Sequence, residues 1–268
     1  MSFLGTEFIF DGTSSLEYGL CLYSQISNSS QDDTAWASNV KMFEDRPYRR
    51  YASYCYGGSL EDSLEFKLVF GVSEERKELH GEYDRWEMQK IASWLTGHRG
   101  YRWLEIVQDD LTHVRYHCYI TDLQAVEVGG RHWGFSCKVT CDSPYGYLAS
   151  ERFTYTVNGT ATVKLHSRSS INDPYSPVIQ IQQSNGTDFS IKSVTDNNRE
   201  FKLTGIPTGS GNIVLDSRHG VLTCDAGLNL YPYCNFKFPR LLRGDNELIL
   251  TGTGTYTITC EFPVNVGG

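Results

Sequence analysis

The feature that most constrains this chain is a period of two. Trp133, Phe135, Cys137, Val139 and Cys141 alternate with Gly134, Ser136, Lys138 and Thr140. Tyr256, Ile258, Cys260 and Phe262 alternate with Thr255, Thr257, Thr259 and Glu261. The pattern returns in Leu64-Phe66-Leu68-Phe70, Val114-Tyr116-Cys118-Ile120, Phe153-Tyr155-Val157 and Phe189-Ile191. Successive side chains of a strand point to opposite faces, so each run reads as a strand with one face on a core. Asn158-Gly159 and Asn185-Gly186 stand beside such runs. Asn-Gly supplies the two positive φ angles of a tight hairpin, so both are expected to be turns. The fold class is therefore mainly β.

One segment breaks the period. Over residues 82–96, Met88, Ile91, Trp94 and Leu95 fall at helical spacing, and Gly97 follows as a stop. The charged residues 74–82 before it are expected as a loop or a first helical turn, and the polar residues 28–33 as a loop. Strand alternation ends at Asp142-Ser143-Pro144-Tyr145-Gly146, where Pro and Gly favour a break. Two domains are expected, residues 1–145 as a β-sandwich with one α-helix and residues 146–268 as an antiparallel sandwich of short strands. Charge divides at the same place. The first 145 residues carry 14 Lys and Arg against 22 Asp and Glu, the whole formal charge of −8, and the remainder carries ten of each. All five Trp also lie in the first part.

Several function classes are disfavoured. No apolar run approaches the roughly 20 residues of a membrane helix, and residues 1–10 lack the basic start and apolar core of a signal peptide. An acidic chain is a poor sequence-independent binder of DNA or RNA. The eight Cys form no C-x-x-C and are expected as free thiols, mostly buried, with Cys224–Cys234 the one bridge worth considering. No nucleophile elbow, phosphate loop, zinc-protease motif or EF-hand is present. His113 and His117 would share a strand face, but two imidazoles fall short of a metal site. No catalytic residue, metal or cofactor is therefore expected. Arg243-Gly244-Asp245 reads as a turn feeding a strand, and the two Asn-Gly-Thr acceptor triplets read as turns. Tyr175, Tyr231 and Tyr233 are the aromatic residues that a weak glycan site in the second half would use in place of Trp.

An ordered series of short motifs resembles the distal tail (Dit) proteins of long-tailed bacteriophages. It opens with Phe8-Ile9-Phe10-Asp11-Gly12-Thr13-Ser14-Ser15 and Tyr18-Gly19-Leu20. It continues through a helix ending in Trp94-Leu95, then Phe135-Ser136-Cys137 and Ser143-Pro144-Tyr145. The second half adds Gly205-Ile206, Ile213-Val214-Leu215-Asp216, Gly220-Val221, Phe238-Pro239-Arg240-Leu241 and Gly244-Asp245-Asn246. The resemblance covers nearly the whole chain. It implies a structural virion protein in which the first domain forms a hexameric ring continuing the tail tube. The second domain is implied to be galectin-like and to project outward. The implied partners are further copies of the chain, the major tail protein, the tail-associated lysin or adhesin hub, and receptor-binding proteins at the rim. DNA passes through the ring without specific binding, assembly takes place in the host cytoplasm, and no membrane insertion is implied.

Electrostatics adds an expectation of its own. A tube that carries DNA should repel phosphate, because weak attraction accumulates along a channel. Asp32, Asp33, Glu61, Asp62 and Glu65, followed by Glu74, Glu75, Asp109 and Asp110, are candidate lumen-facing carboxylates. A solvated outer face is the alternative for each. Two rival functions stand beside the structural one: a carbohydrate-binding adhesin using the second sandwich, and a wall-directed hydrolase needing two carboxylates across a cleft.

Overall fold

The structure, a computed structural model, describes residues 6–22, 40–46, 48, 51–60, 63–79, 81–109, 112–183 and 186–266. The chain is mainly β and splits into two compact units, Met1–Tyr147 with Asn265–Gly268, and Leu148–Val264.

The first unit contains β1 (Glu7–Phe10), β2 (Thr13–Ser14), β3 (Leu20–Leu22), β4 (Val40–Asp45), β5 (Tyr54–Leu60), β6 (Glu65–Val72), α1 (Glu74–Leu79), α2 (Arg85–Thr96), β7 (Arg102–Val107), β8 (Val114–Val128) and β9 (Arg131–Cys141). Its main sheet runs β2-β1-β7-β8-β9-β6-β3, while β4 and β5 form a separate two-stranded sheet. The alternation decides which face is buried. Phe66, Leu68 and Phe70 of β6, Tyr116, Cys118 and Ile120 of β8, and Phe135, Cys137, Val139 and Cys141 of β9 are all buried. Glu65 and Lys67 point the other way and stay exposed.

Helix α2 starts later than its spacing alone suggests, because a cap fixes it. Asp84 Oδ1 accepts from the Glu87 amide (2.8 Å), and Glu87 Oε2 accepts from the Asp84 amide (3.0 Å). Ile91 and Leu95 are buried. Trp94 stacks on Tyr18 (4.6 Å) and Phe8 (5.7 Å) and donates its indole N–H to the Phe10 carbonyl (3.2 Å). Gly97 ends the helix without a left-handed turn, at φ −73°. A Cβ there would collide with the Ser93 carbonyl oxygen, so close approach, not positive φ, calls for glycine. The unit also has a second helix where one was expected. The charged segment after β6 forms α1, tied to α2 by Arg76, which donates to Glu87 (2.7 Å) and lies over the Tyr83 ring (4.2 Å). This guanidinium holds the Glu87 carboxyl below its ordinary pKa.

The second unit contains β10 (Glu151–Ser167), β11 (Val178–Gln183), β12 (Phe189–Ser193), β13 (Arg199–Leu203), β14 (Asn212–Asp216), β15 (Val221–Cys224) and β16 (Gly244–Cys260). Its order is β13-β12-β16-β11-β14-β15, with β10 along the other edge of β16. β10 and β16 pair without slip, from Ser167 with Gly244 to Glu151 with Cys260. One half of β16 pairs with β12 through Leu248–Thr251, and the other with β11 through Gly254–Thr259. The ribbon thus serves two groups of strands around one core, whose members include Leu165, Ile191, Phe201, Ile213, Leu250, Tyr256 and Ile258.

Asn158-Gly159 corrects an expectation. It is not a hairpin turn but the middle of β10. Gly159 (φ +91°) stands directly opposite Gly252 (φ +123°) in the register, so both strands of the ribbon take a backbone open chiefly to glycine at one level. A Cβ at Gly252 would approach Phe189 Cδ1 to 2.6 Å and the Asp188 carbonyl oxygen to 2.9 Å. Asn185 lies outside the described residues. Gly244 and Asp245 are not a turn ahead of a strand but the first residues of β16 itself, with only Arg243 before it. All eight Cys are free, so Cys224 and Cys234 are not bridged. Four are buried, three are intermediate and Cys55 is exposed. His113 does not share a strand face with His117, because it precedes β8 in a turn with φ +66°.

Candidate assembly surfaces

The β4–β5 hairpin is the most unusual surface of the first unit. Among the described residues neither strand joins the main sheet, and the pairing slips between Phe43 and Glu44. Met42, Phe43, Tyr54 and Tyr56 are 50%, 48%, 43% and 72% exposed, and Tyr48 and Tyr51 beyond them 90% and 96%. Apolar exposure on this scale marks protein contact surfaces, and an isolated hairpin is only marginally stable in water. Sequence reasoning passed over this segment. Its signal was the run of Met, Phe and Tyr between residues 42 and 56, which has no clean alternation.

A second surface lies on β7 and β8. Trp103 is half-buried, with the Arg115 guanidinium 4.6 Å over its ring, His117 at 4.8 Å and Tyr147 edge-on at 5.6 Å. Asp142 joins this cluster through His117 Nδ1 (2.9 Å) and the Tyr147 hydroxyl, which donates at 3.2 Å. Tyr101 and Tyr119 pack ring to ring at 5.4 Å and remain partly exposed.

Of the candidate lumen carboxylates, Asp32, Asp33, Glu61, Asp62 and Asp110 lie outside the described residues. Glu65 is exposed on β6 and is not a lone negative charge. It accepts from Lys138 Nζ (2.8 Å) and the Thr140 hydroxyl (3.1 Å), which hold its carboxyl below the ordinary range. Lys67 stands opposite Lys138 in the register, so this face mixes both signs. Glu74 and Glu75 open α1 and are exposed, as is Asp109.

The three tyrosines have structural work. The Tyr175 hydroxyl accepts from the Glu261 amide (2.8 Å) and its ring packs on Phe262 (5.2 Å); burial pushes its pKa up. The Tyr231 hydroxyl lies between the Leu222 amide (3.2 Å) and the Gly220 carbonyl (3.3 Å), and its ring stacks on Phe236. Tyr233 is half-buried and its amide donates to the Leu230 carbonyl. Among the described residues no group of three or more His, Cys, Asp or Glu could hold a metal ion, and no helix is long and apolar enough to cross a membrane.

Comparison with known proteins adds two kinds of likeness. Residues 3–143 match a family model described as a phage tail protein N-terminal domain, and residues 145–260 its companion, a phage tail C-terminal domain (DUF6558). Among solved structures, the fold is similar to the SPP1 Dit (gp 19.1) protein, described as a paradigm of hub adsorption apparatus in phages infecting Gram-positive hosts. The TM-score is 0.65 at 15% identity over 96% of this chain and 98% of that one. It is also similar to a chain of the phage P2 baseplate in its activated conformation with Ca, with TM-score 0.50 and 14% identity over 96% and 98%. The corresponding strontium structure gives 0.51 and 14% over 95% and 97%. No curated protein matches.

Proposed function

Since this chain belongs to the DUF6558 family of phage tail proteins, through both its N-terminal and its C-terminal domain, we propose that it is a distal tail component of a phage virion. In this role it forms a hexameric ring between the tail tube and the host-adsorption apparatus. The observation that carries the proposal is the family match to both halves; a fold shared end to end with the SPP1 Dit protein supports it. The role is structural and calls for no catalysis. Residues 1–145 make the ring and residues 146–268 form the galectin-like domain. The partners are further copies of this chain, the major tail protein above, the lysin or adhesin hub below, and receptor-binding proteins.

Ring interfaces are head-to-tail, so one surface of each copy must meet a different surface of the next. The β4–β5 hairpin suits one side of such a contact, because it exposes aromatic area that the rest of its own unit leaves uncovered. The lumen is proposed to be net negative, through Asp32, Asp33, Glu61 and Asp62 more than Glu65, whose charge Lys138 already offsets.

The test uses virions and purified protein together. Gold-labelled antibody against residues 146–268 should mark the tail tip. Class averages of the purified chain, or of the tail tips that contain it, should show a closed sixfold ring. Label on the capsid, or tips in which this chain is not arranged in a ring, would overturn the proposal.

A further inference from the structure

The second unit holds a cleft of about 450 Å³ that none of the surfaces above includes. It forms where the β12–β13 turn meets residues 235–240. The turn is fixed by its own chemistry. Within the five residues that follow Ser193, Asn197 and Asn198 take left-handed φ of +49° and +56°, and the Arg199 amide closes the turn by donating to the Asp196 carbonyl (2.9 Å). The other wall is stapled to it. Arg240 Nε and Nη2 donate to the two oxygens of Asp196 (2.6 and 3.0 Å), and Asp196 is only 4% exposed. Arg199 Nε donates to the Phe238 carbonyl (2.9 Å). Asn235 accepts from the Lys202 amide (3.1 Å) and donates to the Glu200 carbonyl (2.8 Å). The walls are therefore held in place before any ligand arrives.

The charges do not cancel. Four cations and two carboxylates line the cleft. Arg240 is taken by Asp196, and Lys202 by Glu200 (3.0 Å). The Lys237 ammonium and the terminal guanidinium nitrogens of Arg199 make no ion pair among the described residues. Two positive charges are left in a unit drawn from a half of the chain with no net charge. The remaining lining groups are the side chains of Asn197, Asn198 and Asn235, and among the described residues no aliphatic or aromatic side chain lines the cleft.

This composition selects a ligand class. The volume falls in the range of small-molecule sites, about 300–1,000 Å³, but the walls are polar where drug-like and cofactor sites are mostly apolar. Two spare cations are few for a polyelectrolyte, and there is no ring on which a base could stack, which disfavours nucleic acid. Carboxamides suit hydroxyl groups, while the spare cations suit one anionic group. We propose that this cleft binds an anionic saccharide, a sugar or polyol carrying phosphate or carboxylate. The site is separate from Tyr175, Tyr231 and Tyr233, and it does not depend on ring formation.

Calorimetric titration of the full chain tests this, using three probes: a glycerol-phosphate oligomer, a galacturonic acid oligomer and neutral maltohexaose. At least one anionic probe should bind, and which one identifies the anionic group; maltohexaose should bind at least about ten-fold more weakly. Lys237→Glu should weaken binding about ten-fold or more, while Lys164→Glu, the same charge change on an exposed part of β10, should alter it less than about two-fold. Asn198→Gly keeps the turn geometry and removes one amide, so it should weaken binding with the fold intact. The proposal is overturned if neither anionic probe binds at millimolar concentration, if maltohexaose binds equally well, or if Lys237→Glu and Lys164→Glu behave alike.

Discussion

Two ribbons in this molecule are built alike and treated differently. β10–β16 and β4–β5 are both antiparallel pairs, each with a local irregularity. In β10–β16 the irregularity is the Gly159–Gly252 level, and strands on either side of it close over one core. In β4–β5 it is a bulge, and among the described residues no further strand joins. Pairing alone does not stabilise a ribbon in water; apolar burial on its faces does. The first ribbon finds that burial within its own unit. The second leaves Met42, Phe43 and Tyr56 about half or more exposed, which under the proposed function is area kept for another copy or a tail partner.

The sharpest way to break this contrast is Gly252→Val. The side chain would collide with Phe189 and force an L-residue into φ +123°, so a loss of about 3–4 kcal/mol is expected. Because all five Trp lie in residues 1–145, tryptophan fluorescence during urea unfolding reports the first unit, while circular dichroism reports both. The dichroism midpoint should fall with the fluorescence midpoint unchanged; a joint shift would mean that the units unfold together.

Trp94→Leu should cost about 2 kcal/mol, through the indole hydrogen bond to Phe10 and two ring stacks, and should show in the first unit alone. Differential scanning calorimetry resolving two transitions would check which one moves.

Asp196→Asn should cost about 1 kcal/mol, since Arg240 is partly exposed and water softens the loss. It also predicts a pH signature. Arg240 depresses the Asp196 pKa in the folded state, so the unfolded chain takes up the proton first as acid is added. The stabilisation is complete above about pH 4 and is lost as pH falls through the lower folded value. The wild type should lose stability more steeply than Asp196→Asn below pH 4, measured as urea midpoints across an acid series.

The smallest effect on folding is expected where the largest effect on assembly is proposed. Phe43→Ser with Tyr56→Ser should change the unfolding free energy by less than about 0.5 kcal/mol, because both residues are already about half or more exposed. The same pair should abolish ring formation. Cys55, the exposed thiol on β5, gives a readout without mutation: maleimide should label it in the free chain and leave it unlabelled in intact tails.

What was legible in the sequence follows the range of the interactions involved. Alternation in residues 64–70, 114–120, 133–141 and 256–262 announced its strands, because side-chain direction is a local property. So were Ile91, Trp94 and Leu95 on one helix. Asn158-Gly159 misled for the same reason: its local preference is a turn, and its partner Gly252 lies far along the chain. His113 was misplaced by assuming that a strand began one residue early. The cationic cleft was hidden entirely. Asp196 and Arg240 are 44 positions apart and meet only because β12, β13 and the segment before β16 are brought together. The acidic stretch was visible as charge, but the register that sets Lys138 beside Glu65 was not.

The placement of β16 also dictates an order of events during synthesis. It is the central strand of the second unit and is made after every strand it pairs with. β10, made much earlier, has only β16 as a ladder partner among the described residues, and β12 and β11 both border β16. Such distant pairings are slow to close, because loop entropy is lost before contacts reward it. Until β16 arrives, the threonine-rich edge of β10 and the edges of β11 and β12 stay unsatisfied. Nascent chains are then open to joining the wrong neighbour, so the second unit should be the part of this protein that most depends on slow, protected release.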